Sequence, residues 1–254
     1  MLATAILISG SGSTAEAIIT AVQSGKLVGI KPVVVVASSS DAGGIAKAKK
    51  LGIKTEVVSK SDYKGDAFGK RLLQVMDEFE VDLISQNGWL PLTPAILVAK
   101  YRGRIINQHP GPLDPGGKVD FGGKGMYGER VSCARLMYAR VTGENWTEST
   151  VHQVSEEYDK GNLIQISRME FGKTAKLTSL ADLAKKPQAL LAAVNREQVR
   201  LLPIEHKNVI KALKKIVKHK GRYEGFRRDK PLVPKKFETV AKEAKKLAVG
   251  LYEK

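Results

Sequence analysis

Along the first 109 residues, apolar runs of strand length alternate with amphipathic stretches of helix length. ATAILIS (3–9), KPVVVVAS (31–38), IKTEVVS (53–59), VDLISQ (81–86) and GRIINQ (103–108) each read as a strand. Short continuous apolar runs suit strands buried on both faces. Between them, AEAIITAVQSG after Ser13-Thr14, DAGGIAKAKKLG (41–52) and residues 66–79 read as helices. Gly25 and Gly52 supply the expected stops. Thr93-Pro94 pairs an N-cap with a proline at the first helical position, opening a short helix to about Tyr101. This order implies a parallel sheet with helices on both faces.

After residue 108 the pattern changes. Residues 108–125 form a Gly/Pro-rich loop, and a loop of that length in a compact domain is usually functional. MYGERVSCARLMYAR (126–140) reads as a helix. STVHQVSEEYDKGNLIQISRMEF (149–171) reads as two antiparallel strands around a turn at Asp159-Lys160-Gly161. LADLAKKPQALLAAVNREQVRLL is helical in pieces, broken at Pro187, and residues 203–220 read as a separate helix with Pro203 at its first position. Residues 221–236 are linker-like, and FETVAKEAKKLAVGLY (237–252) is a short amphipathic helix. The expected class is α/β: a mostly parallel, Rossmann-like twisted sheet with flanking helices, an antiparallel hairpin in the second half and a C-terminal helical extension. The expected division is a main domain over residues 1–220 and a basic linker and helical extension over 221–254.

The 254 residues are 43% hydrophobic, enough for a real core. The single cysteine, Cys133, excludes an internal disulfide framework and fits a reducing cytoplasm, the expected location. MLATAILISG has a short apolar run and no basic lead, so it reads as a strand and not a signal peptide. No stretch approaches the ~18 apolar residues that span a bilayer, and no membrane partner is expected. The net charge of +16 is uneven: residues 206–254 hold 16 Lys+Arg and 5 Asp+Glu, leaving +11 there and +5 over residues 1–205. Such a tail can bind nucleic acid or an acidic surface, or be a solvated helical extension. Its few aromatics give little to stack on bases, which argues against nucleic acid.

Three stretches carry candidate chemistry. Ser9-Gly10-Ser11-Gly12-Ser13-Thr14 lies between the first strand and the first helix. It is either a plain tight turn or a place where backbone N–H groups and a helix N-terminus receive a phosphate. Asn107-Gln108-His109-Pro110 follows the fifth strand, at the sheet edge where ligands bind in this architecture. Asn107 and His109 are two apart and can share a side, offering an amide donor and an imidazole to a developing oxyanion and a proton transfer. A structural histidine is the other reading. In Val151-His152-Gln153-Val154 the valines are packing residues, and Asp159 beyond them is either a turn former or a carboxylate aimed at His109.

Several classes are excluded. There is no G-x-x-x-x-G-K-[ST], no G-x-G-x-x-G with Ala15 standing where the last glycine would be, and no G-x-S-x-G. The second strand ends Ala37-Ser38-Ser39, without the acid that holds an NAD ribose, so a single phosphate fits better than a dinucleotide. Four histidines without i, i+4 pairing and one cysteine make no metal site.

Taken together, ILISGSGS, GRIINQHPGPL, GGKGMYGERV, TVHQVSEEYDKG and the later Glu205-His206 resemble, in order, the folate-dependent phosphoribosylglycinamide formyltransferases, over roughly residues 1–215. The resemblance implies transfer of a formyl group from 10-formyltetrahydrofolate, as co-substrate, to the amine of glycinamide ribonucleotide in purine synthesis. It implies that backbone N–H groups of Ser11, Gly12, Ser13 and Thr14 hold the substrate phosphate, that Asn107 steadies the formyl oxyanion, and that protonated His109 assists transfer. It further implies that Asp159 supports His109 and relays protons, that Glu205 touches the ribonucleotide, and that Gly88, Trp89 and Leu90 line a folate pocket. Alternatives within this chemistry are a 10-formyltetrahydrofolate hydrolase and a formyltransferase for another phosphorylated amine. Thr14 stands where the family usually has Asn, Gly65 or Lys64 where an arginine contacts substrates, and Ser132 where a His is common. The region 168–200 is longer than usual, and the tail after about 221 is extra, bearing on a partner or on oligomerisation such as a homodimer.

Overall fold

Five parallel strands, β1 (Leu2–Ile8), β2 (Ile30–Ala37), β3 (Lys54–Val57), β4 (Leu83–Asn87) and β5 (Ile105–His109), build most of one sheet. β6 (Trp146–Gln153) runs antiparallel to β5, and β7 (Leu163–Glu170) antiparallel to β6, giving the order β3-β2-β1-β4-β5-β6-β7. This computed structural model describes residues 1–172, 179–185 and 187–253. The expected mostly parallel sheet with an antiparallel hairpin is what the chain forms.

The helices are α1 (Ser13–Gln23), α2 (Gly44–Lys50), α3 (Ala67–Glu78), α4 (Ala95–Lys100), α5 (Glu129–Thr142), α6 (Leu180–Ala184), α7 (Pro187–Lys218) and α8 (Glu238–Leu251). Strand alternation divides the core. Ile6 and Ile8 face Ile18, Ile19, Val209 and Leu213 of α1 and α7. Ala5 and Leu7, one position off, face Phe68, Leu72 and Met76 of α3. A third cluster joins α5, the first half of α7 and α8 through residues such as Val131, Met137, Val194 and Ala244. Each large apolar side chain so buried contributes roughly 1.5–3 kcal/mol. Among the described residues no helix is long and apolar enough to cross a membrane.

Expectations change at several element ends: Pro94, with extended ψ of 138°, is the N-cap of α4 rather than its first residue, and Thr93 does not cap it. The fifth strand runs on to His109 because β6 pairs with it that far, His109 opposite Thr150. The helix expected from residue 126 begins at Glu129, since Gly128 stands before it with φ of 50° and breaks the right-handed run. Residues 203–220 are not a separate helix. α7 runs from Pro187 through Pro203 to Lys218. Pro203 is exposed, and the buried residues on both sides of it, Val194 and Leu201 before and Val209 and Leu213 after, hold one helix across the lost hydrogen bond. Asn208 anchors α7 to the sheet, donating to the Ser149 carbonyl at 2.8 Å and accepting from Ser167 Oγ at 2.6 Å. The extra length expected over 168–200 lies partly outside the described residues.

Candidate active site

Strand order reverses at β1, whose two neighbours are β2 and β4. Crevices open at the carboxyl ends of strands at such points. Here the loop after β1 is pinned to the loop after β4. The Ser9 amide donates to the Gly88 carbonyl at 3.0 Å, and the Leu90 amide donates to Ser9 Oγ at 2.9 Å. Gly12 has φ of 66°, and a Cβ there would sit 2.5 Å from Gly44 Cα. Only glycine lets this turn pack against the start of α2 while opening α1 behind it. No side chain of the described residues caps α1, so its N-terminus faces the crevice without a side-chain acceptor.

The crevice is a cavity of about 720 Å³. Ser11, Gly12, Ser13 and Thr14 line one end, and Gly88, Trp89 and Leu90 line a more apolar stretch with Leu92 and Val154. Trp89 is buried and its ring is parallel to Phe68 at 6.4 Å. Asn107, His109, Asp159 and Glu205 also line it, so the residues to which a phosphate, folate, ribonucleotide or catalytic role was assigned border one space. Of the three substitutions noted against the family pattern, Thr14 lines the cavity, whereas Gly65 and Ser132 are not in its lining. His206, next to Glu205, borders a separate shallow hollow beside Ser13 and Glu16.

Asp159, in the turn between β6 and β7, has φ of 59° and reaches back over β5. Its Oδ2 lies 3.8 Å from His109 Nδ1 and accepts the Gly123 amide at 2.8 Å. Its Oδ1 lies 3.4 Å from His152 Nε2, which is also 3.1 Å from Asn107 Nδ2. His152 Nδ1 donates to the Gln153 carbonyl at 2.7 Å, which fixes that ring. The result is a chain Asn107–His152–Asp159–His109, with His109 Nε2 donating at 3.2 Å to the Phe121 carbonyl. Sequence reading passed over His152. Its signal is positional: β pairing sets it opposite Asn107, which requires knowing that the hairpin joins the fifth strand.

Burial pushes the His109 pKa below its ordinary value, and Asp159 opposes that shift. Burial alone would raise the Asp159 carboxyl, but His109, His152 and the Gly123 amide outweigh it and hold it well below the usual carboxylate range. Burial pushes the Glu205 carboxyl up to about 7, against the opposing Gln108 side chain. The site therefore holds a firmly ionised carboxylate beside a buried imidazole, and a second carboxyl that titrates near neutrality.

Residues 2–119 match the Formyl transferase family. The formyl transferase match ends within the loop after β5, so it spans the Gly/Ser turn, Trp89, Asn107 and His109. The chain is 33% identical over 162 residues to "Phosphoribosylglycinamide formyltransferase, chloroplastic" of Arabidopsis thaliana, covering 63% of this chain and 52% of that one. It is 33% identical over 162 residues to "Trifunctional purine biosynthetic protein adenosine-3" of Bos taurus, covering 63% of this chain and 14% of the relative. The chain thus spans about half the length of the plant relative. Among solved structures, phosphoribosylglycinamide formyltransferase from Brucella melitensis superposes with a TM-score of 0.64 at 28% identity, covering 85% of this chain and 95% of the other. Glycinamide ribonucleotide transformylase 1 from Symbiobacterium toebii shares the fold with a TM-score of 0.68 at 23% identity, over 86% and 89% of the two chains.

Proposed function

We propose that this protein transfers the formyl group of 10-formyltetrahydrofolate to the amine of glycinamide ribonucleotide, a step of purine synthesis. The observation that carries the reading is the convergence of Asn107, His109 and Asp159 on one cavity that ends at the uncapped N-terminus of α1. In this reading the phosphate rests on the amides of Ser11, Gly12, Ser13 and Thr14 and gains from the helix dipole. The folate lies along Gly88, Trp89 and Leu90, where the Trp89 ring supplies an apolar face. Glu205 meets the ribonucleotide.

The chemistry follows from those positions. The substrate amine attacks the formyl carbon, a C–N bond forms, and the carbonyl oxygen becomes an oxyanion. Asn107 donates its amide to that oxygen, and a protonated His109 donates a proton toward it; removal of one such donor typically costs about 2.7–4 kcal/mol of barrier. The bond from the formyl carbon to the folate nitrogen then breaks. The amine gives up a proton and the folate nitrogen gains one, with Asp159 keeping His109 able to cycle between its two forms. The single cysteine, buried Cys133, supports a cytoplasmic setting.

The test is tetrahydrofolate release from 10-formyltetrahydrofolate with and without glycinamide ribonucleotide. The expected result is turnover that requires the ribonucleotide and disappears in His109→Asn. Turnover without any amine would replace this reading by a hydrolase, and turnover only with a different phosphorylated amine would change the acceptor.

A further inference from the structure

The C-terminal residues run along the loop that follows β5. Phe226 makes an isolated antiparallel bridge with Leu163. Arg228 Nε donates to the Leu113 carbonyl at 2.7 Å, while its guanidinium ion-pairs with buried Glu148 of β6. The Leu232 amide donates to Asp114 Oδ2 at 2.9 Å. Lys245 of α8 donates through Nζ to the Gly122 carbonyl at 2.5 Å. α8 is itself fixed, with Ala241, Ala244 and Ala248 fully buried in the core it shares with α5.

The loop passes this anchoring to the site. Asp120 accepts the Asp114 amide at 3.1 Å and the Gly122 amide at 3.0 Å, so both anchor points belong to one hydrogen-bonded unit. Gly122 packs closely against both neighbours: a Cβ would stand 2.5 Å from Leu113 Cδ2 and 2.8 Å from Asp159 Cβ, so only glycine fits there. The Gly122 carbonyl held by Lys245 and the Gly123 N–H held by Asp159 belong to the same peptide plane. A planar trans peptide points these groups in opposite directions, so fixing one end aims the other. The preceding residue, Phe121, supplies the carbonyl that meets His109.

We propose that Lys245 is a positioning residue for the His109–Asp159 pair, with residues 226–252 bracing the loop that holds both. This rests on the reading of His109 and Asp159 as catalytic. A tail that only adds core would change stability and leave the titration of His109 alone. The groups that face His109 are Asp159 and His152 from the hairpin and Asp120 from the loop, while Lys245 and Lys160 bear on Asp120. Loss of the Lys245 ammonium frees the Gly122–Gly123 peptide and with it the placement of Asp159 and of the Phe121 carbonyl, the groups that hold the His109 pKa up against burial, so that histidine's midpoint falls.

The experiment is a histidine NMR titration of the full chain, whose four histidines permit assignment, on wild type, Lys245→Met and Lys245→Arg. The expected result is that Lys245→Met moves the His109 midpoint further below its ordinary value of about 6.5, with His206 and His219 unmoved. Lys245→Arg, whose guanidinium can reach the same carbonyl, keeps the wild-type midpoint. In the formyl-transfer assay Lys245→Met loses about tenfold or more in kcat, because small misplacements of reacting groups are costly, while KM for the ribonucleotide holds. An unmoved His109 with unchanged kcat overturns the proposal, even if the variant melts earlier. A His109 shift in Lys245→Met, absent in Lys245→Arg, in a protein that transfers no formyl group would uphold the brace and remove the proposed reaction instead. Should Lys245→Met not fold, Lys245→Gln takes its place with the same two readings.

Discussion

Asp159 Oδ2 stands 3.8 Å from His109 Nδ1 while accepting the Gly123 amide at 2.8 Å, so one carboxylate oxygen serves both the imidazole and the loop. Asp159→Asn keeps the shape and removes the charge. Because Asp159 acts to raise the His109 pKa against burial, its loss lets that pKa fall further. Less imidazolium is then present at neutral pH, and kcat drops by about 10²–10⁴-fold, the range typical of a proton-transfer partner. Steady-state kinetics with a histidine titration checks both halves. A near-normal kcat would remove Asp159 from the mechanism.

Glu205 makes a pH prediction of definite sign. Its folded-state pKa is about 7, raised from an ordinary value of 4.5. Between those values the folded chain holds a proton that the unfolded chain has released, so stability from this group is present at low pH and lost as pH rises toward 7. A neutral amide in place of the Glu205 carboxyl has no proton to release. The stability of Glu205→Gln relative to wild type therefore grows from about pH 4.5 to about 7 and levels off above, by about 3.5 kcal/mol at ~1.4 kcal/mol per pH unit. Urea denaturation across that range measures it, and a flat difference would show an ordinary carboxyl.

The parts of this architecture that are local in sequence are the parts that could be read from it. Strands such as VVVV at 33–36 declare themselves because a doubly buried strand must be apolar throughout. Asn107 and His109 stand out because polar residues at the end of such a strand have few structural uses. Asp159 was readable only as two alternatives, since nothing in the spacing brings it to His109; the β5–β6 pairing does. Pro203 misled for the opposite reason: a local rule places proline at a helix start, and tertiary packing along α7 overrides it. The contact between Lys245 and Gly122 joins a tail to a loop and has no local signature at all.

His152, to which the sequence pattern assigns no role, is expected to matter nearly as much as Asn107. It reaches both Asn107 Nδ2, at 3.1 Å, and Asp159 Oδ1, at 3.4 Å. His152→Ala leaves the half-buried Asn107 amide without the acceptor that His152 Nε2 supplies while its Nδ1 donates to Gln153, which costs about 1 kcal/mol in stability. It also releases the orientation of Asn107, so kcat falls by about tenfold or more with KM for the folate less affected. Chemical denaturation and kinetics on the same preparation separate the two effects. A stability loss with unchanged kcat would make His152 a scaffold residue only.

Pro203 offers the reverse test, a change that should stabilise. A proline in the middle of α7 has no N–H for the carbonyl four residues back, that of Val199, and its ring crowds that turn. Pro203 is exposed and does not line the cavity, so its side chain is not needed for packing there. Pro203→Ala restores the hydrogen bond and should raise stability by about 1–3 kcal/mol. Val199, Leu202 and Glu205 lie on the turns either side and all border the cavity. If the proline matters only as a flaw tolerated by tertiary packing, kcat and KM stay at wild-type values while the melting temperature rises. If its local distortion sets where those three side chains point, the gain in stability comes with a higher KM for the ribonucleotide, and the helix irregularity is then a feature of the binding wall.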